Sequence, residues 1–200
     1  PGSKQTIKDL ESLNNTGLSE QIKAYTRNGG NVFGICGGLQ MLGKLLEDPN
    51  NNESYKNPNS NSFTGMELLP IETTFEKKKK TSQRKETVLW PRRENINGFE
   101  MHYGKSYLIG NKDSEIKALF QDSSLGWVKE KENKSFIGGT YLHGIFENDE
   151  WRRQWINKIR LKKGLNELTI IEDNKNNKRE KLLDLLTDSF EQNICIDSLI

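Results

Sequence analysis

Two side chains in this sequence have the types and neighbours that thiol chemistry requires. Cys36 lies in Gly34-Ile35-Cys36-Gly37-Gly38, and His143 lies in Tyr141-Leu142-His143-Gly144. A thiol attacks a carbonyl as the thiolate, so it needs a base that takes its proton and returns it to a leaving group near neutral pH. Imidazole is the side chain suited to that. The long separation between the two is no obstacle, because such partners meet in space. A lone cysteine is often inert packing. The glycines beside Cys36 argue otherwise, since they leave room for a substrate to approach the sulfur. The chain has one further histidine, His102, and one further cysteine, Cys195. Cys195 has no flanking glycine and follows an apolar helical stretch, which suits a structural role.

The elements around Cys36 are legible. Val32, Phe33 and Ile35 form a short apolar run of strand formers. Gly37 and Gly38 permit a tight turn. Leu39, Leu42, Leu45 and Leu46 then recur at helical spacing. This is the logic of a nucleophile elbow with cysteine in place of serine. A thiol at a helix start is expected to have a lowered pKa, through the helix dipole and a nearby imidazole. Before the elbow the pattern predicts helices over Thr6 to Leu13 and Leu18 to Asn28, with Leu18, Ile22 and Tyr25 on one face and Gly29-Gly30 as the stop. After it comes a polar loop from Asp48 to Ser62.

From Gly65 strands dominate: Met66 to Phe75, Thr87 to Trp90, Gly98 to Ile109 with Glu100, His102 and Tyr103, and a short piece at Ala118 to Gln121. Lys77 to Lys80 reads as a solvated turn or exposed edge. Trp127 to Glu130 and Ser135 to Tyr141 form a hairpin around Lys131-Glu132-Asn133-Lys134. The second arm runs into His143, a strand end, where α/β enzymes place catalytic groups. Asn148 caps a helix whose Trp151, Trp155, Ile156 and Ile159 form a core-facing stripe, ended by Gly164. A last helix spans about Lys178 to Gln192, with Leu182, Leu183, Leu185, Leu186 and Phe190. Helices, then strands, then helices fit an α/β three-layer sandwich with an antiparallel extension.

Composition narrows the function classes. The formal net charge of +2 comes from 30 basic and 28 acidic residues, so nothing calls for nucleic acid or an anionic membrane. No stretch approaches the ~20 apolar residues of a membrane span, and no signal peptide is visible. Two cysteines make no disulfide framework, and a reducing, cytoplasmic setting is expected. The opening Pro1-Gly2-Ser3-Lys4 has no strand before it, which suggests a piece of a longer polypeptide. Zinc is not expected, because no Cys or His pair has metal-ligand spacing. A phosphate loop is not expected either, because Gly34 to Gly38 lacks the Gly-Lys-Ser/Thr ending.

Four blocks carry a resemblance: Pro1-Gly2-Ser3-Lys4 with Thr6 and Asp9-Leu10; Gly34 to Gly43; Gly98-Phe99-Glu100-Met101-His102-Tyr103-Gly104; and Gly139-Thr140-Tyr141-Leu142-His143-Gly144-Ile145-Phe146. Together, and in this order, they resemble the C-terminal glutamine amidotransferase domain of the cobyric acid synthase family. Asp48-Pro49, Glu53-Ser54 and Gly65 to Pro70 resemble further family segments, so the similarity spans nearly residues 1–200.

The resemblance implies a class I glutamine amidotransferase-like fold and hydrolysis of glutamine to glutamate and ammonia. It implies Cys36 as nucleophile, His143 as base, and Gly2 and Gly37 N–H groups as the oxyanion hole. It also implies an upstream synthetase domain, using ATP and magnesium, that amidates a corrinoid acceptor such as cobyrinic acid a,c-diamide. No cofactor is expected within these residues. Related amidotransferases carry His-x-Glu, and here that third position is Ile145. Glu100 is the candidate to orient His143, with His102 as a further orienting or substrate-facing residue. The alternatives are a sister amidotransferase, such as cobyrinate a,c-diamide synthase or a cell-wall-amidating glutaminase subunit, and a non-catalytic binding domain on the same fold.

Overall fold

The computed structural model describes residues 1–53, 61–110, 115–133, 135–169 and 175–193, the last segment with side chains from 180 onward. Cys195, Ser54 and Lys134, and part of the Asp48 to Ser62 loop, lie outside the described residues. The chain opens with helices α1 (Thr6–Asn15) and α2 (Leu18–Arg27), then strand β1 (Val32–Ile35) and the short helix α3 (Gly37–Met41). Strands β2 (Leu45–Glu47), β3 (Ser62–Thr64), β4 (Ile71–Thr74), β5 (Lys80–Val88), β6 (Glu94–His102), β7 (Lys105–Leu108), β8 (Ile116–Ala118), β9 (Gly126–Glu130), β10 (Phe136–Thr140) and β11 (Leu142–His143) follow. Helices α4 (Asp149–Lys162) and α5 (Lys175–Asn193) close the sequence of elements.

The strands form three sheets, ordered β1-β10-β9-β8, β11-β6-β5 and β3-β2-β4-β7. The first sheet positions the site. β1 and β10 run parallel, with Ile35 opposite Thr140, so both strands end at the same edge. Cys36 leaves one strand end, and its N–H donates to the Thr140 carbonyl at 2.7 Å. The chain beyond Thr140 crosses to the second sheet, where β11 pairs antiparallel with β6, Leu142 opposite Glu100 and His143 opposite Phe99. Cys36 therefore follows the carboxyl end of β1, and His143 ends β11, which follows the carboxyl end of β10, so both lie beyond the edge where open α/β sheets place their sites.

Two apolar cores flank this framework. One gathers Ile7, Leu10, Leu39, Leu42, Leu46, Leu69, Ile71, Phe75 and Tyr141. The other gathers Val88, Ile96, Leu119, Phe120, Leu142, Ile145 and Trp151. Trp151 is fully buried and its indole N–H donates to the Trp90 carbonyl at 2.9 Å. The Trp151 and Trp155 stripe of α4 is thus core, as its spacing indicates, and Gly164 follows the helix with φ of +70°.

Several elements differ from the sequence pattern. Leu45 and Leu46 continue no helix, because the chain turns at Gly43-Lys44 and they enter β2. The Gly98 to Ile109 run breaks at Tyr103-Gly104 into β6 and β7. The largest difference is β5, which begins inside the lysine run and pairs over nine residues with β6, from Lys80↔His102 to Val88↔Glu94. Its polar residues alternate in exposure, as a half-solvated strand requires. Tyr25 and Leu18 are exposed, while Ile22 alone of that trio packs on the core. Asn148 precedes α4 without capping it through its side chain. Its amide instead brackets Asn97, accepting from that N–H and donating to that carbonyl, each at 2.9 Å. The side chains Leu182, Leu183, Leu185, Leu186 and Phe190 of α5 are exposed.

Candidate active site

Cys36 is held in a strained backbone conformation, φ 53° and ψ −111°. A side chain in this left-handed region costs on the order of 1–3 kcal/mol, and such strain concentrates where function requires it. Here it turns the chain sharply from β1 into α3 and fixes the thiol at the corner. Cys36 is only 5% exposed, with its Sγ–H aimed at the Met101 carbonyl at 3.6 Å.

The opening turn closes over the elbow. A Cβ built on Gly2 would lie 3.3 Å from His143 Cε1 and 3.6 Å from Cys36 Cβ. Gly2 thus sits against both side chains at once, and only a glycine leaves the space between them open. A Cβ on Gly37 would meet Ser3 Cβ at 2.9 Å and Thr6 Oγ1 at 3.0 Å. The turn and the elbow pack closely at these two glycines, where a Cβ would be crowded. α1 is tied down from below, where Glu53 accepts the Thr6 N–H at 2.6 Å. Glu53 is itself held by Asp48, whose carboxylate accepts the N–H groups of Asn52 and Glu53 at 2.8 Å each.

The His143 ring stacks on Phe99, its cross-strand partner, with centroids 5.1 Å apart and planes 10° from parallel. Its Nε2 is buried without a hydrogen-bond partner among the described residues. Burial lowers the His143 pKa below the ordinary imidazole range. The Met101 carbonyl works against this, and the Lys79 ammonium adds to it. Burial also pushes the Cys36 thiol up, and the Glu53 carboxylate adds to that. The Gly37 N–H and Lys79 pull it down less strongly. The expected lowering of the Cys36 pKa is therefore not what this geometry gives. The helix behind the thiol is only five residues long, and desolvation outweighs it. Near neutrality the pair rests as thiol and neutral imidazole.

Glu100 and His102 are brought together with each other and not with His143. His102 is buried between Glu100 Oε1, 3.3 Å from its Nε2, and the Gly104 carbonyl, 3.0 Å from its Nδ1. Its ring stacks on Tyr141 at 3.8 Å. Glu100 is also paired with Lys80 at 2.8 Å and Arg84 at 3.3 Å. The placement of Glu100 as orienter of His143 is thereby corrected: two cations and His102 occupy its carboxylate. Sequence reasoning also missed Gln40, which donates to the Tyr103 carbonyl at 2.9 Å and bonds Tyr141 Oη at 3.2 Å. It missed Lys79 as well, whose ammonium lies 5.9 Å from the Tyr103 ring centroid and bears on both Cys36 and His143. Lys79 was hidden inside a charge run that suggested only solvation.

This set can attack an acyl group. Such chemistry would use the sulfur as nucleophile and the imidazole as proton acceptor, with Gly2 packed against both side chains and Gly37 next to Cys36. The described residues hold no group of three or more His, Cys, Asp or Glu side chains able to bind a metal, and no helix long and apolar enough to cross a membrane.

Comparison with known proteins agrees with the chemistry. A solved structure, the crystal structure of a glutamine amidotransferase, superposes with a TM-score of 0.54 over 82% of this chain and 77% of its own, at 12% identity. At that identity the likeness concerns the fold, a class I amidotransferase-like α/β arrangement. Cobyric acid synthases of Prochlorococcus marinus align over the whole chain: 72% identical in strain NATL2A, 71% in strain NATL1A and 45% in strain MIT 9313. The chain spans 40% of the length of each of these relatives. Residues 1–151, which contain the elbow, β6 and the His143 strand, match the model of the CobB/CobQ-like glutamine amidotransferase domain, and it is to that family that the chain belongs.

Proposed function

We propose that this chain is the glutaminase part of a cobyric acid synthase, releasing ammonia from glutamine through a Cys36 thioester for ATP-dependent amidation of corrinoid carboxylates. The observation that carries the proposal is the strained Cys36 beside His143 across Gly2. Cys36 Sγ attacks the glutamine carboxamide carbon while His143 accepts the thiol proton. The oxyanion is held by the Gly2 and Gly37 N–H groups. Collapse breaks the C–N bond, and His143 returns the proton to the departing ammonia. Water, deprotonated by His143, then cleaves the γ-glutamyl thioester to glutamate and frees the thiol.

ATP and magnesium act outside these residues. The close cover of the Gly34 to Gly38 turn by the opening turn, with the Pro1 carbonyl 2.9 Å from where a Gly38 Cβ would stand, supports this reading. The partner is a synthetase domain of the same polypeptide, and a reducing cytoplasm suits a free catalytic thiol.

The test separates the two nitrogen sources. Cys36→Ala in the native full-length polypeptide should abolish amide synthesis from glutamine yet leave synthesis from ammonium salts, because free ammonia bypasses the thioester. A variant that still releases glutamate from glutamine refutes the assignment.

A further inference from the structure

We propose that Phe99 is the positioning residue for the His143 base, its ring being the flat surface that sets the imidazole plane where an acid would otherwise do so. This rests on the proposed glutaminase reaction. The position that would carry an orienting acid after His143 is Ile145, a buried core residue. Glu100 is occupied by Lys80, Arg84 and His102. Neither position offered by the sequence therefore supplies a carboxylate to the ring.

Strand register puts the two rings together. β11 and β6 are antiparallel with His143 directly opposite Phe99, and directly opposite side chains share a face with Cβ atoms about 4.5–5.5 Å apart. The rings lie nearly parallel, centroids 5.1 Å apart and planes 10° from parallel, within the ~4.5–7 Å that offset-stacked aromatic pairs prefer. A slip of one residue would send His143 to the other face of the sheet, where Glu100 and His102 are buried. Two neighbours of Phe99 hold this register. A Cβ on Gly98 would stand 2.5 Å from the His143 carbonyl, so glycine there lets β11 approach. Asn97 exchanges two hydrogen bonds with the Asn148 side chain, whose amide also donates to the carbonyls of Gly144 and Ile145 at 3.2 and 3.1 Å. The main chain flanking His143 is thereby tied to β6 on both sides.

Phe99 contributes little else to the fold. It is 37% exposed and belongs to neither apolar core. Side chains alternate along a strand, and the buried ones of β6 are Ile96, Glu100 and His102. A phenyl group left on the solvated face forgoes part of the stabilisation that full burial gives. Its ring contact among the described residues is the imidazole. The torsion that turns a histidine ring about its Cβ–Cγ bond is broad, so rotamer preference alone does not fix the imidazole plane, and a stacked ring does. The edge of that plane is then aimed. Cε1 lies 3.3 Å from where a Gly2 Cβ would stand, a point 3.6 Å from Cys36 Cβ. Phe99 sets the tilt of the ring, and Gly2 leaves room for its edge to face the Cys36 side.

The experiment measures kcat and KM for glutamine, and amide synthesis from ammonium salts, in the native full-length polypeptide carrying Phe99→Leu, Phe99→Tyr or Phe99→Ala, beside melting temperatures. Tyrosine keeps the flat ring, leucine keeps apolar cover without one, and alanine removes both. We expect Phe99→Leu to lower kcat about 10-fold and Phe99→Ala about 100-fold, part of the ~10²–10⁴-fold that a positioned base contributes. KM and ammonia-dependent synthesis should change little. Phe99→Tyr should keep most of the parental kcat. Parental kcat in Phe99→Leu overturns the proposal, since cover alone would then suffice. A raised KM at parental kcat overturns it too, by making Phe99 a substrate contact. So does a loss shared equally by ammonia-dependent synthesis, or one that Phe99→Tyr shows in full. If Phe99→Ala does not fold, Phe99→Leu and Phe99→Tyr decide alone. Failure of the glutaminase assignment itself would look different, because the parent would then show no Cys36-dependent glutamate release.

Discussion

Replacing Gly37 by alanine puts a methyl group where the opening turn meets the elbow. Its carbon would stand 2.9 Å from Ser3 Cβ and 3.0 Å from both Ser3 N and Thr6 Oγ1. Carbon atoms rest at about 3.5–4.0 Å, so the turn must withdraw by roughly 0.6 Å or more. Neither near atom is the far end of a flexible side chain. Ser3 N is main chain, and Thr6 is fixed by its bonds to Glu53 and Gln40. The displacement falls on Gly2, whose N–H is one of two proposed oxyanion donors. Removing one such donor costs about 10²–10³ in kcat, and a shift approaching ~1 Å in a positioned group costs on the order of 10²-fold. The expected outcome is a kcat for glutamate release lowered about 100-fold. Cys36 stays accessible to a small alkylating agent, because alkylation makes no oxyanion. The assay is glutamate release under saturating glutamine, run beside the rate of iodoacetamide labelling. A variant with parental kcat refutes the placement of the oxyanion hole at this contact. One that loses labelling and turnover in equal proportion shows a collapsed elbow instead.

Three further outcomes follow from burial and charge. Labelling of Cys36 by iodoacetamide should rise only above the ordinary thiol range of about 8.5, because desolvation pushes this thiol up; labelling that persists below neutrality contradicts it. Lys79→Ala should move the labelling curve to still higher pH and the His143-dependent acid limb of kcat/KM upward as well, since the ammonium lowers both pKa values, and added salt should mimic the change. Glu94 is pushed up to about 7 by burial and the nearby Glu150 carboxylate. The folded state therefore binds a proton that the unfolded state has already released, and stability should fall as pH rises from 4.5 to about 7. Glu94→Gln should flatten that slope in denaturant titrations; an unchanged slope assigns it to other groups.

The parts legible in the sequence share a cause. The elbow announces itself because a packing cysteine has no need of glycines on both sides, and here they follow directly on an apolar strand. His143 stands out because imidazole is scarce in this chain. The α4 stripe is legible because Trp151 and Trp155 repeat at the period of the surface they bury. β5 is not legible. Lys80 to Glu86 is polar on both faces, one turned to solvent and the other to the ion cluster around Glu100 and Asp122, so hydrophobic alternation is absent. Leu45 and Leu46 mislead for the opposite reason, since a leucine repeat looks the same whether it continues a helix or enters a buried strand.

The direction of the Cys36 and His143 pKa values bears on how the pair works. Both are displaced toward their uncharged forms, the thiol upward and the imidazole downward. Moving the proton from sulfur to nitrogen in the substrate-free protein is therefore uphill, by about 1.36 kcal/mol for each pH unit separating the two groups. A resting thiolate–imidazolium pair would make the sulfur reactive toward any electrophile. Here the charge separation is deferred until a carboxamide occupies the space beside Gly2. In the proposed reaction the negative charge then leaves the sulfur for the substrate oxygen, for which the Gly2 and Gly37 N–H groups are the proposed donors. The Met101 main chain raises the His143 pKa and so favours the imidazolium once it forms. The stabilisation belongs to the transition state and not to the free enzyme, as differential binding requires. Burial of the thiol, which works against reactivity in isolation, thus confines reactivity to a ligand that brings its own oxyanion.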